Sequence, residues 1–356
     1  MYFKPDARIS DPEYLRTYNV FKYGDIAFEG NKSKNYANGR FVENTIGDGI
    51  VSHVFNVLRP ISPKHNLEYW KYAINNENVM GRILARCTKK TTMMTNLVTA
   101  DFLEQEICCP IELEQDKIAF FLSLIEKRLA AQEQLVDALK KYKRGVIQVI
   151  FDDEKRDLFG EISSGKQVKL SDLMDFQNGI NADASKYGRG IRFISVSDIL
   201  KNNFITYDKI IGQVDIDNRT LTTYSVTYGD VLFQRSSETR EDAGRSNVYL
   251  DIEKTATFGG FVIRGKKKSD YDPLYLKYAL DSFVVRKQIM QCAAGAQHIN
   301  VSQEDLCKVV VNLPTIDVQN RISKFISDID LRIATEEKKA NAQAILKKAL
   351  LQQLFI

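Results

Sequence analysis

Apolar residues recur at spacings of three and four between Gln115 and Ile150: Ile118, Phe121, Ile125, Leu129, Val136, Leu139, Tyr142 and Val146. That period predicts an amphipathic helix, and the stretch holds no proline and a single glycine, Gly145. The pattern returns as Ile322, Phe325, Ile329, Ile333, Ala340, Leu346, Leu350 and Leu354. A helix of about 36 residues is ~54 Å long and is not stable alone, so each stripe needs a partner. The simplest partner is the other helix, in an antiparallel coiled coil that sets Ile118, Phe121, Ile125 and Leu129 against Ile322, Phe325, Ile329 and Ile333. Packing of each helix on its own module is the alternative. Both seams turn polar at one equivalent place, Gln132 and Glu336, which costs stability and helps fix register.

The helices belong to a longer repeat. Pro110, Gln115, Ile118, Phe121, Ile125, Leu129, Gln148 and Phe151 each have a counterpart 204 positions on, from Pro314 and Gln319 to Gln352 and Phe355. Upstream the match continues with small slips, Tyr23-Gly24-Asp25-Ile26 against Tyr228-Gly229-Asp230-Val231 and Lys71-Tyr72-Ala73 against Lys277-Tyr278-Ala279. Two copies of a module followed by a helix approach two-fold symmetry within one chain. That suits a two-part target, as dimeric DNA readers suit paired half-sites.

Ahead of each helix the pattern is mixed. In the second copy Gly190 to Ile199 reads as strand then turn, Val231-Leu232-Phe233 as a strand after turn chemistry, and Phe258 to Arg264 as another strand. Pro273 to Met290 reads as one helix opened by proline, with Leu67 to Ile83 its first-copy counterpart. The charged, Gly/Ser-containing stretch from Asp152 to Lys166 reads as a linker. The expected class is α+β: two globular α/β modules joined by two long paired helices.

Composition narrows the chemistry. The chain has 356 residues, 44% apolar and 27% charged, enough for at least two cores, and lacks a signal pattern or a membrane-length apolar run; a cytoplasmic protein without a membrane partner is expected. Five cysteines form no C-x2-C pair, and Cys108-Cys109 in an apolar run reads as buried thiols; with three histidines, no metal site is expected. Gly160 to Lys166 imitates a phosphate-binding loop, but Gln167 replaces the required Ser or Thr and no apolar strand precedes it. There is no Pro-Pro-Tyr or Pro-Pro-Phe loop for adenine methylation and no carboxylate cluster with a lysine for a nuclease. No catalytic residue is expected.

What remains is a set of basic, polar and aromatic residues on loops, the types that reach phosphates and base edges. In the second copy these are Lys186, Tyr187, Arg189, Gln234, Arg235, Arg240, Arg245, Gln297 and His298; in the first they are Lys32, Lys34, Arg40, Lys89 and Lys90. The formal charge is only +4, so the argument rests on local runs such as Arg82, Arg86, Lys89 and Lys90.

A module, then Asn300-Val301-Ser302 leading to Leu313-Pro314, Gln319, Ile322, Phe325 and Ile329, with a terminal Leu350-Leu351-Gln352-Gln353-Leu354-Phe355, resembles the specificity subunit of type I restriction-modification systems. The resemblance implies target recognition domains at 1–109 and 168–313, long helices at 110–151 and 314–356, and a linker at 152–167. It implies a non-catalytic subunit reading a bipartite sequence of double-stranded DNA. It also implies partners: two methyltransferase subunits carrying S-adenosylmethionine and two restriction subunits using ATP and magnesium. The first copy has no counterpart of the second module's opening, GIRFISVSDI included, so the first domain is expected to be incomplete at its N-terminus and to read DNA weakly. A coiled-coil scaffold that pairs proteins without touching DNA is the rival function.

Overall fold

A computed structural model describes residues 13–62, 65–91, 94–152, 165–295 and 298–355. The fold is α+β. The chain forms two compact units, Met1–Leu135 with Glu336–Ile356, and Val136–Thr335, so that the division falls inside both long helices. Those helices are Glu112–Phe151 and Ile316–Leu354, of 40 and 39 residues. Each opens on the repeated proline and glutamine: Gln115 Nε2 donates to Pro110 O at 2.9 Å and Gln319 Nε2 to Pro314 O at 2.7 Å.

In the first unit the helices run antiparallel. Glu126 pairs with Lys347 at 2.7 Å, and Gln132 Nε2 donates to Glu336 Oε2 at 2.7 Å, so one partner's number falls as the other's rises. Leu122 and Ala119 pack with Phe355, Leu351 and Leu354, and the cluster is closed by Tyr69 and Ala73 of the short helix Leu67–Ala73. The main sheet of this unit is ordered Arg40–Glu43, Ile26–Glu29, Asn56–Leu58, antiparallel throughout, and packs against the helix Glu77–Cys87. Its core is Phe28, Phe41, Met80 and Leu84.

The second unit repeats the contact with the helices' roles exchanged. Ile147, Ile150 and Phe151 pack with Ile322 and Ile326, closed by Tyr275, Tyr278 and Ala279 of the helix Pro273–Asp281. Lys143 pairs with Asp330 at 2.6 Å, and Tyr278 OH donates to the same carboxylate at 2.9 Å. The sheet order is Ser246–Val248, Val231–Gln234, Val262–Lys267, Met174–Asn178, antiparallel throughout. A second sheet sets Tyr187–Ile194 between Gln213–Val214 and Thr257–Phe258. The fourth strand and the side sheet draw on residues ahead of the Tyr228-Gly229-Asp230 turn. Ahead of the equivalent Tyr23-Gly24-Asp25 turn the described residues hold the short 3-10 turn Tyr14–Thr17 and the strand Asn19–Phe21. Gly24 and Gly229 take φ of 86° and 87°, a left-handed conformation that leaves each following aspartate to cap its turn.

Three expectations need correction. Phe121 and Phe325 do not enter the helix seam; they are 45% and 48% exposed, whereas Leu122 and Ile326 are completely buried. Buried or half-buried positions recur every seven residues, Gln115, Leu122, Leu129, Val136, Lys143 and Ile150, with Gln319, Ile326, Ile333, Ala340, Lys347 and Leu354 on the other helix. A seam facing another helix follows 3.5 residues per turn, alternating steps of three and four, so from Ile118 the next contact is Leu122. The stretch Pro273 to Met290 is two helices, broken at Ser282, which caps Phe283–Cys292. Phe258 to Arg264 is likewise two strands in different sheets: Phe258 pairs with Ile194 and Val262 with Gln234, and Gly259-Gly260 carries the chain between them. Most of the linker, including Gly160 to Ser164, lies outside the described residues.

Ile326→Ala should cost about 2–5 kcal/mol of unfolding free energy and Phe325→Ala under about 1 kcal/mol, measured by urea denaturation of the full chain. A second expectation concerns Asp25, whose carboxyl the Arg59 hydrogen bonds (2.7 Å each) hold below the usual carboxylate range. A depressed folded-state value adds stability that is present above the unfolded value of about 3.9 and is lost as pH falls through the folded one. Arg59→Gln should therefore lower the denaturation midpoint at pH values above about 5, and the difference from the parent should vanish as Asp25 protonates in acid.

Candidate nucleic-acid interface

In the second unit the central strand Val231–Gln234 delivers the chain to an exposed loop. Gln234, expected among the reading residues, is not available for it: it is 5% exposed, and its Nε2 donates to Ser236 O at 2.8 Å. Its backbone closes the loop, N–H donating to Arg245 O and the carbonyl accepting from Gly244 N. Arg235 is exposed; its N–H donates to Phe261 O at 2.9 Å and its Nη1 lies 3.4 Å from Gly260 O. Ser236–Ser237 then pairs with Ile299–Asn300, with Ser236 Oγ donating to Asn300 Oδ1, which brings exposed His298 beside this loop. Gln297 lies outside the described residues.

Farther along the loop, Arg240 Nη1 donates to Met290 O at 3.2 Å and Arg245 pairs with Asp242 at 3.3 Å. Both arginines are exposed, and a half-solvated pair of this kind is worth about 0–1 kcal/mol, so a phosphate or guanine edge competes easily for either.

The side sheet supplies the other group. Tyr187 lies edge-on to Phe193 at 5.3 Å, and its OH accepts from Ala182 N at 3.2 Å. Arg189 pairs with Asp215 at 3.2 Å while its side chain stays 73% exposed, and Lys186 is exposed beside it. These residues join Arg235 through a chain of neighbours: Tyr187 holds Ala182, Asn181 abuts Gly260, and Gly260 meets Arg235. Phe261, 68% exposed, stands on the same path. The sequence pattern places Phe261 inside a strand and gives Asn181 no signal; the Gly259-Gly260 pair is the one sign that the strand stops and a side chain turns outward.

The first unit gathers its basic residues in the equivalent place. Thr88–Lys90 and Thr95–Leu97 form a hairpin that carries exposed Lys89 and Lys90. Lys32 Nζ donates to Thr91 O at 2.8 Å and Thr95 N to Gly30 O at 2.8 Å, which joins the loop bearing Lys32 and exposed Lys34 to that hairpin. Arg40 is committed elsewhere: it pairs with Glu29 at 2.6 Å across two strands and covers the Tyr36 ring. In both units, then, the loop after the central strand meets backbone that follows the second short helix, Ile299–Asn300 in one and the hairpin of Thr88–Lys90 and Thr95–Leu97 in the other.

Among the described residues no group of three or more His, Cys, Asp or Glu side chains gathers as a metal site would require. Cys108 and Cys109, expected to be buried, are exposed, while Cys87 is buried. The thiols sit beyond the last sheet contact, where the chain leaves the module for Glu112. No helix among the described residues is long and apolar enough to cross a membrane.

A family model described as the type I restriction modification DNA specificity domain matches residues 164–343. A putative type I restriction enzyme MjaX specificity subunit of Methanocaldococcus jannaschii is 27% identical over 207 residues, covering 56% of this chain and 48% of the relative. The MjaVIII specificity subunit of the same organism is 21% identical over 264 residues, 69% of this chain and 60% of that one. The chain thus spans about half to three fifths of these curated relatives. A structure of a type I restriction-modification system superposes with a TM-score of 0.64 at 16% identity, covering 94% of this chain and 82% of that one. The S subunit from M. genitalium gives 0.54 at 17% identity over 96% and 85%. At these identities the likeness shows the fold.

Proposed function

The chain belongs to the type I restriction modification DNA specificity family, and on that premise we propose that it reads a bipartite sequence of double-stranded DNA, one half by each unit. The observation that carries this reading lies inside the matched span. Lys186, Tyr187 and Arg189 come from the side sheet and the turn before it, and Arg235, Arg240 and Arg245 from a separate loop; all six are exposed, and the contacts through Asn181 and Gly260 bring Tyr187 and Arg235 together. Arginine forks suit guanine O6 and N7, the Tyr187 and Phe261 rings offer apolar contact, and Lys186 suits phosphate. The first unit contributes Lys32, Lys34, Lys89 and Lys90. Its set has lysines in place of free arginines, so it supplies mostly phosphate contact.

We assign no chemical step to this chain. Methyl transfer and cleavage belong to methyltransferase and restriction subunits, which bring S-adenosylmethionine, ATP and magnesium. The outer faces of the long helices fit such partners. Phe120, Phe121 and Leu124 are exposed on the first unit's part of the helix pair, and Phe325 and Leu331 on the second's. Contiguous exposed apolar patches mark interaction sites.

Two experiments test the reading. In the complex with its methyltransferase subunits, Arg235→Ala or Arg189→Ala should cost about 1–3 kcal/mol of discrimination at one base pair of one half-site and leave the other half unchanged. Affinity for the parent target should fall steeply with salt, and Lys186→Ala should reduce that slope by about 1. Binding that ignores salt, or methylation at unaltered sites by every variant, would instead favour a scaffold that pairs proteins without reading DNA. Separately, Phe120→Glu with Leu124→Glu should abolish co-purification with the methyltransferase subunit at an unchanged thermal midpoint.

A further inference from the structure

The loop that carries Arg240 and Arg245 is held from beneath by a buried cation. Arg286, on the helix Phe283–Cys292, is 8% exposed. Its Nη1 donates to Gly244 O at 2.9 Å, and its Nη2 donates to Glu241 O at 2.9 Å and to Ala243 O at 2.7 Å. The same helix takes Arg240 at Met290 O, and Gly244, at φ 64°, lies so close to Ile289 that a Cβ there would stand 2.5 Å from its Cγ2. Burial together with the nearby charge of Arg245 pushes the Arg286 guanidinium down to about 10.

The repeat shows that helix packing does not require this arginine. Glu77–Cys87 is the first unit's copy of Phe283–Cys292, and by the offset that aligns Tyr72 with Tyr278, Met80 occupies the place of Arg286. Met80 is buried in the first unit's core. There the equivalent loop is tied by Ser33 and Tyr36 to each other and by Thr95 Oγ1 to Asn38 O. Burying a cation is costly unless acceptors surround it, and a planar fork fixes the directions of the acceptors it serves, which an ammonium or a thioether does not.

Resting on the DNA-reading function above, we propose that Arg286 is a positioning residue for base discrimination: by gripping three carbonyls of one loop it presets the geometry in which Arg240 and Arg245 meet the DNA. It touches no DNA itself. The first unit has methionine at this place.

The test uses the full chain and a pool of random-sequence DNA duplexes, with amide hydrogen exchange followed in parallel. Arg286→Met installs the first unit's own residue and should fold. It should speed exchange over residues 238–245 at least tenfold. It should also cut the preference for the selected sequence over the unselected pool by about tenfold or more, with the salt slope of binding unchanged because the phosphate contacts remain. Arg286→Lys keeps charge and bulk but loses the fork, and should show a smaller loss of the same kind; it decides the matter if the methionine variant precipitates. Unchanged exchange, or faster exchange with undiminished preference, overturns the proposal. If Arg240→Ala with Arg245→Ala leaves the preference untouched, these two arginines do not read DNA and the inference falls, whereas the DNA-reading function itself falls only if Arg235→Ala and Arg189→Ala are silent as well.

Discussion

A helix of 40 residues carries an apolar seam along its whole length and cannot keep it dry alone. Each unit meets this constraint by packing one end of one long helix against the opposite end of the other, then laying a short helix across the pair. Tyr69, Ala73, Leu122 and Phe355 do this in the first unit; their repeat counterparts Tyr275, Ala279, Ile326 and Phe151 do it in the second. Each fully buried aliphatic side chain in these clusters contributes about 1.5–3 kcal/mol by transfer from water. The short helices bear the sheets' connections, so the modules take their footing from the same contact.

Polar residues inside the seam act against stability and in favour of a single arrangement. Gln132 is satisfied by Glu336, which is nearly inaccessible and also meets Lys339 at 3.1 Å. Sliding one helix by a turn would take the Gln132 amide away from that buried carboxylate, while Lys339, on the carboxylate's own helix, would move with it; the lost donor costs more than an apolar mismatch. The ion pairs Glu126–Lys347 and Asp330–Lys143 occupy matching repeat positions and penalise the same slip.

The candidate reading loops of the second unit have a different economy of contacts. Their side chains are held by long or half-exposed bonds, Arg235 to Gly260 O and Arg189 to Asp215, which a ligand can replace at little cost. Their backbones are held tightly, by Gln234 from the strand and by Arg286 from the helix. Firm backbone with exchangeable tips is the arrangement a reader of base edges requires, because a loosely held donor loses discrimination before it loses affinity.

The sequence alone determined the two long helices and their repeat at a constant offset, since each is written in local periodicity and in proline. It also pointed to Arg235, Arg240 and Arg245 as exposed residues after a strand; Arg189, read as part of a turn, is exposed but lies in the strand Tyr187–Ile194. Which of two adjacent apolar residues enters the seam was decided by the partner helix: Phe-Phe-Leu at 120–122 offers apolar groups to several faces, and only a seam with a 3.5-residue period selects Leu122 over Phe121. Tertiary structure likewise decided the break at Ser282, the split at Gly259-Gly260 and the burial of Gln234, because each depends on a neighbour distant in sequence: a second sheet, a second strand, a loop that must be closed. The grip of Arg286 on three carbonyls belongs here too. A lone arginine in a basic helix reads as a surface charge until the fold sets a loop of unsatisfied acceptors above it.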